Sequence, residues 1–336
     1  MPVKRLLLLA VLLVLLVLLA GCGGKTVVRE PAVEVASGTP MATTLVPRPE
    51  GSVRIAVVTH GPASSKFWAI IRNGVEAASR TLDVLVDYRA PDVYSAQRMS
   101  ELIDAAVASR PDGLVVSIPE PAVAPAIRRA VRAGIPVVSI NSGASLYKRL
   151  GVLAHVGQLE DRAGLEAGRR LAQAGVRRAL CVNQQIGNTG LDARCAGLAR
   201  AMGEVGGSSR VLGVVDDNPA TPRKIADAVA RERATGVLCT NSVSGLAAVE
   251  GLAGRDVRIG TFDLGPDVLR EVQAGRVAFA VDQQAYLQGY LPIEMLAQRA
   301  RYGLFPAEGD VIATGPHFVT PADADRAMEL SRRSIR

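Results

Sequence analysis

Short, nearly continuous runs of apolar, β-branched residues recur along this chain, and between them lie stretches whose apolar positions follow a helical spacing. The runs predict strands at Val53–Thr59, Val84–Tyr88, Gly113–Ser117, Pro136–Ile140, Ala179–Asn183, Val211–Val215, Gly236–Thr240, Val257–Phe262 and Val277–Val281. Unbroken apolar runs suit parallel strands covered on both faces. The stretches between them predict helices at Lys66–Leu82, Ser95–Ser109, Pro121–Ala133, Asp161–Ala174, Leu191–Met202, Thr221–Arg233 and Ala285–Tyr302. Such alternation argues for an α/β fold of doubly wound parallel sheets with right-handed crossovers. So many strands over residues 52–336 divide better into two sheets than one, with a first crossing near Leu150–Gly157.

The pattern is different before residue 52. Lys4 and Arg5 precede an apolar run from Leu6 to Ala20, which small residues close. That is the layout of an export signal, and the run is short for a bilayer span, which needs roughly 20 residues. Leu19-Ala20-Gly21-Cys22 resembles a bacterial lipobox, so residues 1–21 are expected to be a lipoprotein signal peptide and Cys22 the lipidated N-terminus. Residues 22–51, rich in Gly, Pro, Thr and Ser without apolar period, read as a flexible linker from lipid to folded domain. The expected location is extracytoplasmic, anchored to the cell membrane.

The formal charge of +7 becomes +5 once Lys4 and Arg5 are removed. The arginines are scattered among helices rather than interleaved with aromatics, so no nucleic-acid partner is expected. Besides Cys22 the cysteines are Cys181, Cys195 and Cys239. An odd number in an exported protein allows one disulfide and one free thiol, and Cys181 and Cys195 could meet at one sheet edge. Their spacing matches no paired Cys-x-x-Cys metal motif, and His60, His155 and His317 lie far apart, so neither metal nor cofactor is expected.

In open α/β sheets ligands sit outside the carboxyl ends of the strands. Those ends supply Thr59 and His60, Asn141 and Ser142, Asn183 to Gln185 with Asn188 and Arg194 beyond, Asn241 and Ser242, Asp263, and Asp282 with Gln283. Polar groups beside a buried strand need partners, since an unpaired one costs about 1–3 kcal/mol. Such a convergent set of forked donors and acceptors suits a polyhydroxylated ligand. Phe67 and Trp68 are neighbours at a helix start and cannot share one core face, so one of them is expected to face the cleft and stack on a sugar's C–H face. Asn241 and Asp263 also stand where helix caps would. Asp263 and Asp282 as a glycosidase pair is the weaker reading, because their neighbours are amides and Arg194. The sequence holds no nucleophile elbow and no phosphate-binding glycine loop.

Several stretches together resemble the type I periplasmic sugar-binding proteins of ABC importers, the ribose/galactose group. They are FWAIIRNGVEAA, PDGLVVSIPEP, GIPVVSINS, HVGQLEDRAGLEAGRRL, IGTFDLGPDVLREVQAGRVAFAVDQQ and YLQGYLP, spread over residues 52–320. The resemblance implies two similar lobes joined by a three-segment hinge, 52–155 with 285–311 and 156–284 with 312–336, and a ligand between them. By position it places the stacking aromatics on Phe67 and Trp68, a polar contact on Ser65, and further ligand contacts on Arg194, Asn241, Asp263 and Gln283, with Asp282 at the hinge. Where the family usually has Asp-Arg this chain has Asn141-Ser142, which removes both charges that grip the sugar in ribose-like members. A related repressor family carries a DNA-binding domain where this chain has its lipobox, so a repressor role is not expected.

The expected protein is therefore a monomeric, lipid-anchored binding protein without enzyme activity. It would capture a monosaccharide or cyclic polyol by hinge closure and deliver it to an ABC importer permease. A nucleoside ligand, or service to a chemoreceptor instead of a permease, are the alternatives.

Overall fold

The computed structural model describes residues 51–62, 65–306 and 309–336. Residues 1–50, with the expected leader, Cys22 and nearly all of the linker, lie outside the described residues. Two six-stranded sheets carry the fold. The first is built from β1 (Arg54–Val58), β2 (Leu85–Arg89), β3 (Gly113–Ser117), β4 (Val137–Ile140), β5 (Ala154–Gly157) and β11 (Val311–Ala313), in the order β11-β5-β4-β3-β1-β2, and all its pairs are parallel. The second is built from β6 (Arg178–Asn183), β7 (Ser208–Gly213), β8 (Gly236–Cys239), β9 (Arg258–Phe262), β10 (Phe279–Asp282) and β12 (His317–Val319), in the order β12-β10-β9-β8-β6-β7. Only the β10–β12 pair is antiparallel there.

Four helices flank the first sheet: α1 (Lys66–Leu82), α2 (Ala96–Ala108), α3 (Ala124–Arg132) and α9 (Ala285–Tyr302). The second is flanked by α4 (Glu160–Gln173), α5 (Thr189–Glu204), α6 (Thr221–Glu232), α7 (Ser242–Gly251), α8 (Pro266–Gln273) and α10 (Ala324–Arg332). None of the described helices is long and apolar enough to cross a membrane. α1 forms because Trp68, Ile71, Val75 and Ala78 line one side at helical spacing, and it stops where Asp83 turns left-handed. Ser95 starts α2 by accepting the Arg98 N–H, and Asn188 starts α5 by accepting from Gly190 and Leu191. Each sheet has an apolar cluster on either face, which is why its strands read as unbroken apolar runs.

The chain passes between the sheets three times: from β5 to α4, from β10 to α9, and from β11 to β12. The two lobes follow one plan, and their central helix pairs show it at close range. A Cβ on Gly289 of α9 would lie 2.0 Å from the Ile71 carbonyl oxygen of α1, and one on Gly164 of α4 would lie 2.1 Å from the Arg194 carbonyl oxygen of α5. Both glycines let backbones approach where any side chain would collide, and each stands six residues after a glutamine, Gln283 or Gln158.

Local pattern had not predicted five elements. β5 hides in the stretch read as a crossing, since its alternation includes the fully buried His155. β11 and β12 are three residues each, and α8 and α10 are short helices that follow Gly265 and Asp323. β7 begins earlier than its apolar run because Ser208 to Arg210 pair with β6 at an open sheet edge.

Cys181 of β6 and Cys195 of α5 form a disulfide with Cα atoms 5.6 Å apart, and Cys239 is a buried free thiol. Closing a loop of this length is worth about 3 kcal/mol on the entropic model. Residues 51–336, denatured without reductant, should therefore yield one titratable thiol in a colorimetric thiol assay. Three would contradict the pairing.

Candidate functional site

The carboxyl ends of both sheets face each other, and two similar turns, one from each lobe, meet there. Asn141 follows β4 and Asp263 follows β9, and both sit in the left-handed region, with φ of 60° and 66°. Asparagine and aspartate tolerate that region better than other non-glycine residues. Each donates its backbone N–H to the next strand of its own sheet, Asn141 to Val156 O at 3.3 Å and Asp263 to Val281 O at 2.9 Å. The result is a matched pair of polar corners, one per lobe.

Gln283, at the second passage between lobes, links those corners. Its Oε1 accepts from Asn141 Nδ2 at 3.1 Å, and its Nε2 donates to Asp263 Oδ1 at 2.6 Å. Gln288 of α9 holds this amide in place. Its Nε2 donates to Gln283 Oε1 and to Thr314 Oγ1, both at 3.1 Å, and its Oε1 accepts from Asn141 Nδ2 at 3.4 Å. Asn141, Gln283 and Gln288 are all buried, so the network decides which way each amide points. Asp263 is partly accessible, and among the described residues its Oδ2 takes no hydrogen bond. Burial pushes its carboxyl up to about 6, although Arg194 and the Gln283 bond pull the other way.

The lobes also touch directly beside this relay. Asn188 Oδ1 accepts the first N–H groups of α5, so its Nδ2 is the donor that faces His60 Nε2 at 3.4 Å. His60 Nε2 is then an acceptor, and the proton sits on Nδ1, which donates to Ser117 Oγ at 2.9 Å. Burial pushes the imidazole down to about 3, so His60 is neutral. Ser142 Oγ lies 3.1 Å from Asn188 Oδ1 and 3.2 Å from Asn141 Oδ1, and its single proton serves one of them. Thr189 N–H donates to Pro119 O at 2.7 Å across the same gap.

Aromatic groups back the first lobe's side. Trp68 is 6% exposed and belongs to the core, with its ring edge-on to His60 at 4.8 Å. Phe67 is the more exposed of the pair and meets Trp68 edge-on at 5.3 Å. Ser65 starts α1 without a side-chain cap bond.

The remaining expected residues are engaged inside the protein. Thr59 is fully buried, its Oγ1 3.0 Å from the Tyr88 hydroxyl. Arg194, 2% exposed, donates to Glu160 at 2.6 and 2.9 Å and to Thr240 O at 2.7 Å, with its guanidinium 4.2 Å above the Phe262 ring. Asp282 accepts from Gln284 N–H at 2.7 Å and from Arg336 Nε at 2.6 Å. Asn241 caps α7 by accepting from Ser244 N–H at 2.9 Å, and its Nδ2 donates to Asp216 Oδ2 at 2.6 Å. Asn141, Ser142, Asp263 and Gln283 thus form one cluster with His60 and Trp68 beside them.

Four residues in or behind this cluster escaped sequence reasoning. Asp216 ends the β7 run directly, as Asp263 ends β9, so the rule that found Asp263 could have found it. Glu160, Gln158 and Gln288 sit in polar-looking helix starts or faces, where only the tertiary fold buries them.

Residues 55–303 match the periplasmic binding protein domain family. A carbohydrate transporter from Acidothermus cellulolyticus, solved in complex with myo-inositol, is 32% identical, with a TM-score of 0.80 over 85% of this chain and 100% of that one. A periplasmic sugar-binding protein of an ABC sugar transporter from Legionella pneumophila is 24% identical, with a TM-score of 0.70 over 78% of this chain and 99% of that one. A solute-binding protein from Burkholderia graminis, solved with D-arabinose, is 20% identical, with a TM-score of 0.74 over 82% and 98%. No curated protein sequence matches the chain. The family and these neighbours are binding proteins, not enzymes.

Burial also pushes the Asp216 carboxyl up to about 6, against the Asn241 bond and with Asp217 adding to the rise. A carboxyl raised above its unfolded value of 3.8 favours the folded state while protonated. That contribution is complete below pH about 4 and lost as pH rises through about 6. Asp216→Asn keeps the bond to Asn241 without the charge. It should raise the melting temperature at pH 7.5 by about a few degrees and leave it unchanged at pH 4, as read by calorimetry.

Proposed function

This chain belongs to the periplasmic binding protein domain family, and we propose that it is an extracytoplasmic lipoprotein that captures a cyclic polyol or neutral monosaccharide. The observation that carries this reading is the pair of corners, Asn141 and Asp263, joined through Gln283. A ring of neighbouring hydroxyls needs donors and acceptors side by side, and this edge supplies an amide, a hydroxyl and a carboxylate with a free oxygen. Asn141 and Ser142 are uncharged, which favours a neutral ligand over an acidic or phosphorylated one. The relative solved with myo-inositol supports a cyclic polyol in particular.

Capture proceeds by closure about the three passages between lobes. Asp263 belongs to the second lobe and Asn141 to the first, so a ligand that engages both makes its full set of bonds only when the lobes close. The direct bonds of Asn188 to Ser142 and His60 then add to the closed form. Residues 1–21 direct export, Cys22 carries the lipid, and the loaded protein delivers its ligand to an ABC permease as a monomer.

A thermal-shift panel of pentoses, hexoses, inositols and nucleosides on residues 51–336 tests the ligand class. A ligand at about 100 times its Kd adds roughly 2.7 kcal/mol, a shift of about a few degrees. An inositol or one neutral sugar should respond, and Asp263→Ala or Gln283→Ala should abolish the response. Affinity should fall as pH drops from 7.5 to 5, because the Asp263 carboxylate, raised to about 6, loses its acceptor charge over that range. Asp263→Asn should bind weakly at every pH and lose the slope. A response to nucleosides alone, or a pH profile unchanged in Asp263→Asn, would contradict this reading.

A further inference from the structure

Helices that connect parallel strands run antiparallel to them, so the helix C-termini collect at the strands' N-terminal edge, the pole opposite the cleft. In the first lobe that pole carries Arg54 at the start of β1, Arg80 in the last turn of α1, Arg110 beyond α2, Arg132 at the end of α3 and Arg301 in the last turn of α9, all exposed. They share one end of the lobe. Arg54 Nη2 donates to the Arg110 carbonyl at 3.5 Å, and Arg301 Nη2 donates to the carbonyls of Leu82 and Asp83 at 2.7 and 2.9 Å. Arg110 also lines an open hollow on this end with Ile135 and Arg299. The carboxylates there among the described residues are Glu76, whose Oε2 lies 4.0 Å from Arg80 Nη1, and Asp83, Asp112 and Asp310, so positive charge is in excess.

Arginines in last turns complement helix dipoles, which accounts for some of this charge. It does not account for the apolar side chains among them. Leu85, Tyr302 and Leu304 are 57%, 58% and 63% exposed on the same pole. The corresponding pole of the second lobe is also basic, but there Arg231 and Arg276 pair with Glu232 and Glu271, and the exposed large apolar residue is Val205, at 38%. Arginines ringing exposed leucine and tyrosine compose a surface suited to the headgroup level of a bilayer. Gly51 enters β1 at this pole, so the fifty residues ahead of it, with Cys22 among them, join the folded body here.

We propose that the base of the first lobe is a membrane-contact surface for anionic phospholipid headgroups. The arginines lie over lipid phosphates, and Leu85, Tyr302 and Leu304 reach the headgroup level. The lipid anchor proposed above would hold this pole near the bilayer, but the surface binds anionic lipid by its own chemistry. In that pose the cleft points away from the membrane and stays open to solute, so meeting a permease requires the protein to lift off.

Every core cluster lies between Val53 and Met328, so the chain from residue 22 with Cys22→Ser holds its complete cores and carries no lipid. Cosedimentation of this protein with vesicles of phosphatidylcholine alone, or with added phosphatidylglycerol, reads the surface. It should bind only the anionic vesicles, and less at high salt. Arg110→Gln with Arg132→Gln should weaken binding roughly tenfold or more. Tyr302→Ser with Leu304→Ser should also weaken it, and Arg233→Gln with Arg258→Gln on the second lobe should not. Absence of binding to anionic vesicles, or equal loss from first- and second-lobe variants, would overturn the proposal. The thermal-shift response of each variant to its sugar or polyol, measured alongside, shows that it is folded. It also separates failure of this surface from failure of the ligand assignment.

Discussion

One buried amide holds the two lobes in register. Gln283 must accept from Asn141 and Gln288 on one atom and donate to Asp263 on the other. An amide offers both roles on a single planar group, and its oxygen can accept two bonds at once. A carboxylate there would repel Asp263, an ammonium could not accept from Asn141, and a flipped amide would set donor against donor. Because burial makes each lost partner cost about 1–3 kcal/mol, the orientation of Gln283 also fixes Asn141, Gln288 and, through Gln288, Thr314 beside the third passage. The candidate site and the passages between the lobes are therefore one network.

The lobes share a plan but solve one packing problem differently. Ile71 and Ala285 in the first lobe correspond, by distance from the helix starts and from the paired glutamines, to Arg194 and Glu160 in the second. Where the first lobe has two apolar members of one core cluster, the second has a buried ion pair. Such a pair gains little net stability over well-packed apolar groups, and removing one member costs about 3–5 kcal/mol. Here it has further partners. Glu160 also accepts from Gln158 at the first passage, at 2.7 Å, and Arg194 fastens the Thr240 carbonyl at the end of β8. The positive charge of Arg194 also limits how far burial raises the Asp263 carboxyl. The ion pair thus supports the second lobe's half of the site without facing the first lobe.

The fold was legible because buried parallel strands leave unbroken apolar runs, and the polar cluster of the candidate site because those runs end in polar residues. Asn141, Ser142, Asp263 and Gln283 stood out for that reason, and they form one cluster. Partnership was not legible. Nothing local distinguishes an arginine that grips a ligand from one paired with a glutamate 34 residues away, and Arg194 has the glutamate. Asp282 stands next to Gln283 in sequence, yet both its oxygens bond within the chain, one of them to Arg336. Gln288 reads as a surface residue of an amphipathic helix, and only its partners in the turns after β4, β10 and β11, which are Asn141, Gln283 and Thr314, take it out of solvent. Short strands such as β11 and β12 exist because neighbours complete them, so their own residues carry little signal.

The central claim is that ligand binding and lobe closure are one event. Spin labels on Glu101→Cys of α2 and Lys224→Cys of α6, both exposed and one on each lobe, report the interlobe distance by pulsed electron resonance. On adding the sugar or polyol that stabilises the protein, the account predicts a shorter and narrower distance distribution, and no change when Gln283 is replaced by alanine. An identical distribution with and without saturating ligand in the otherwise native chain would contradict it.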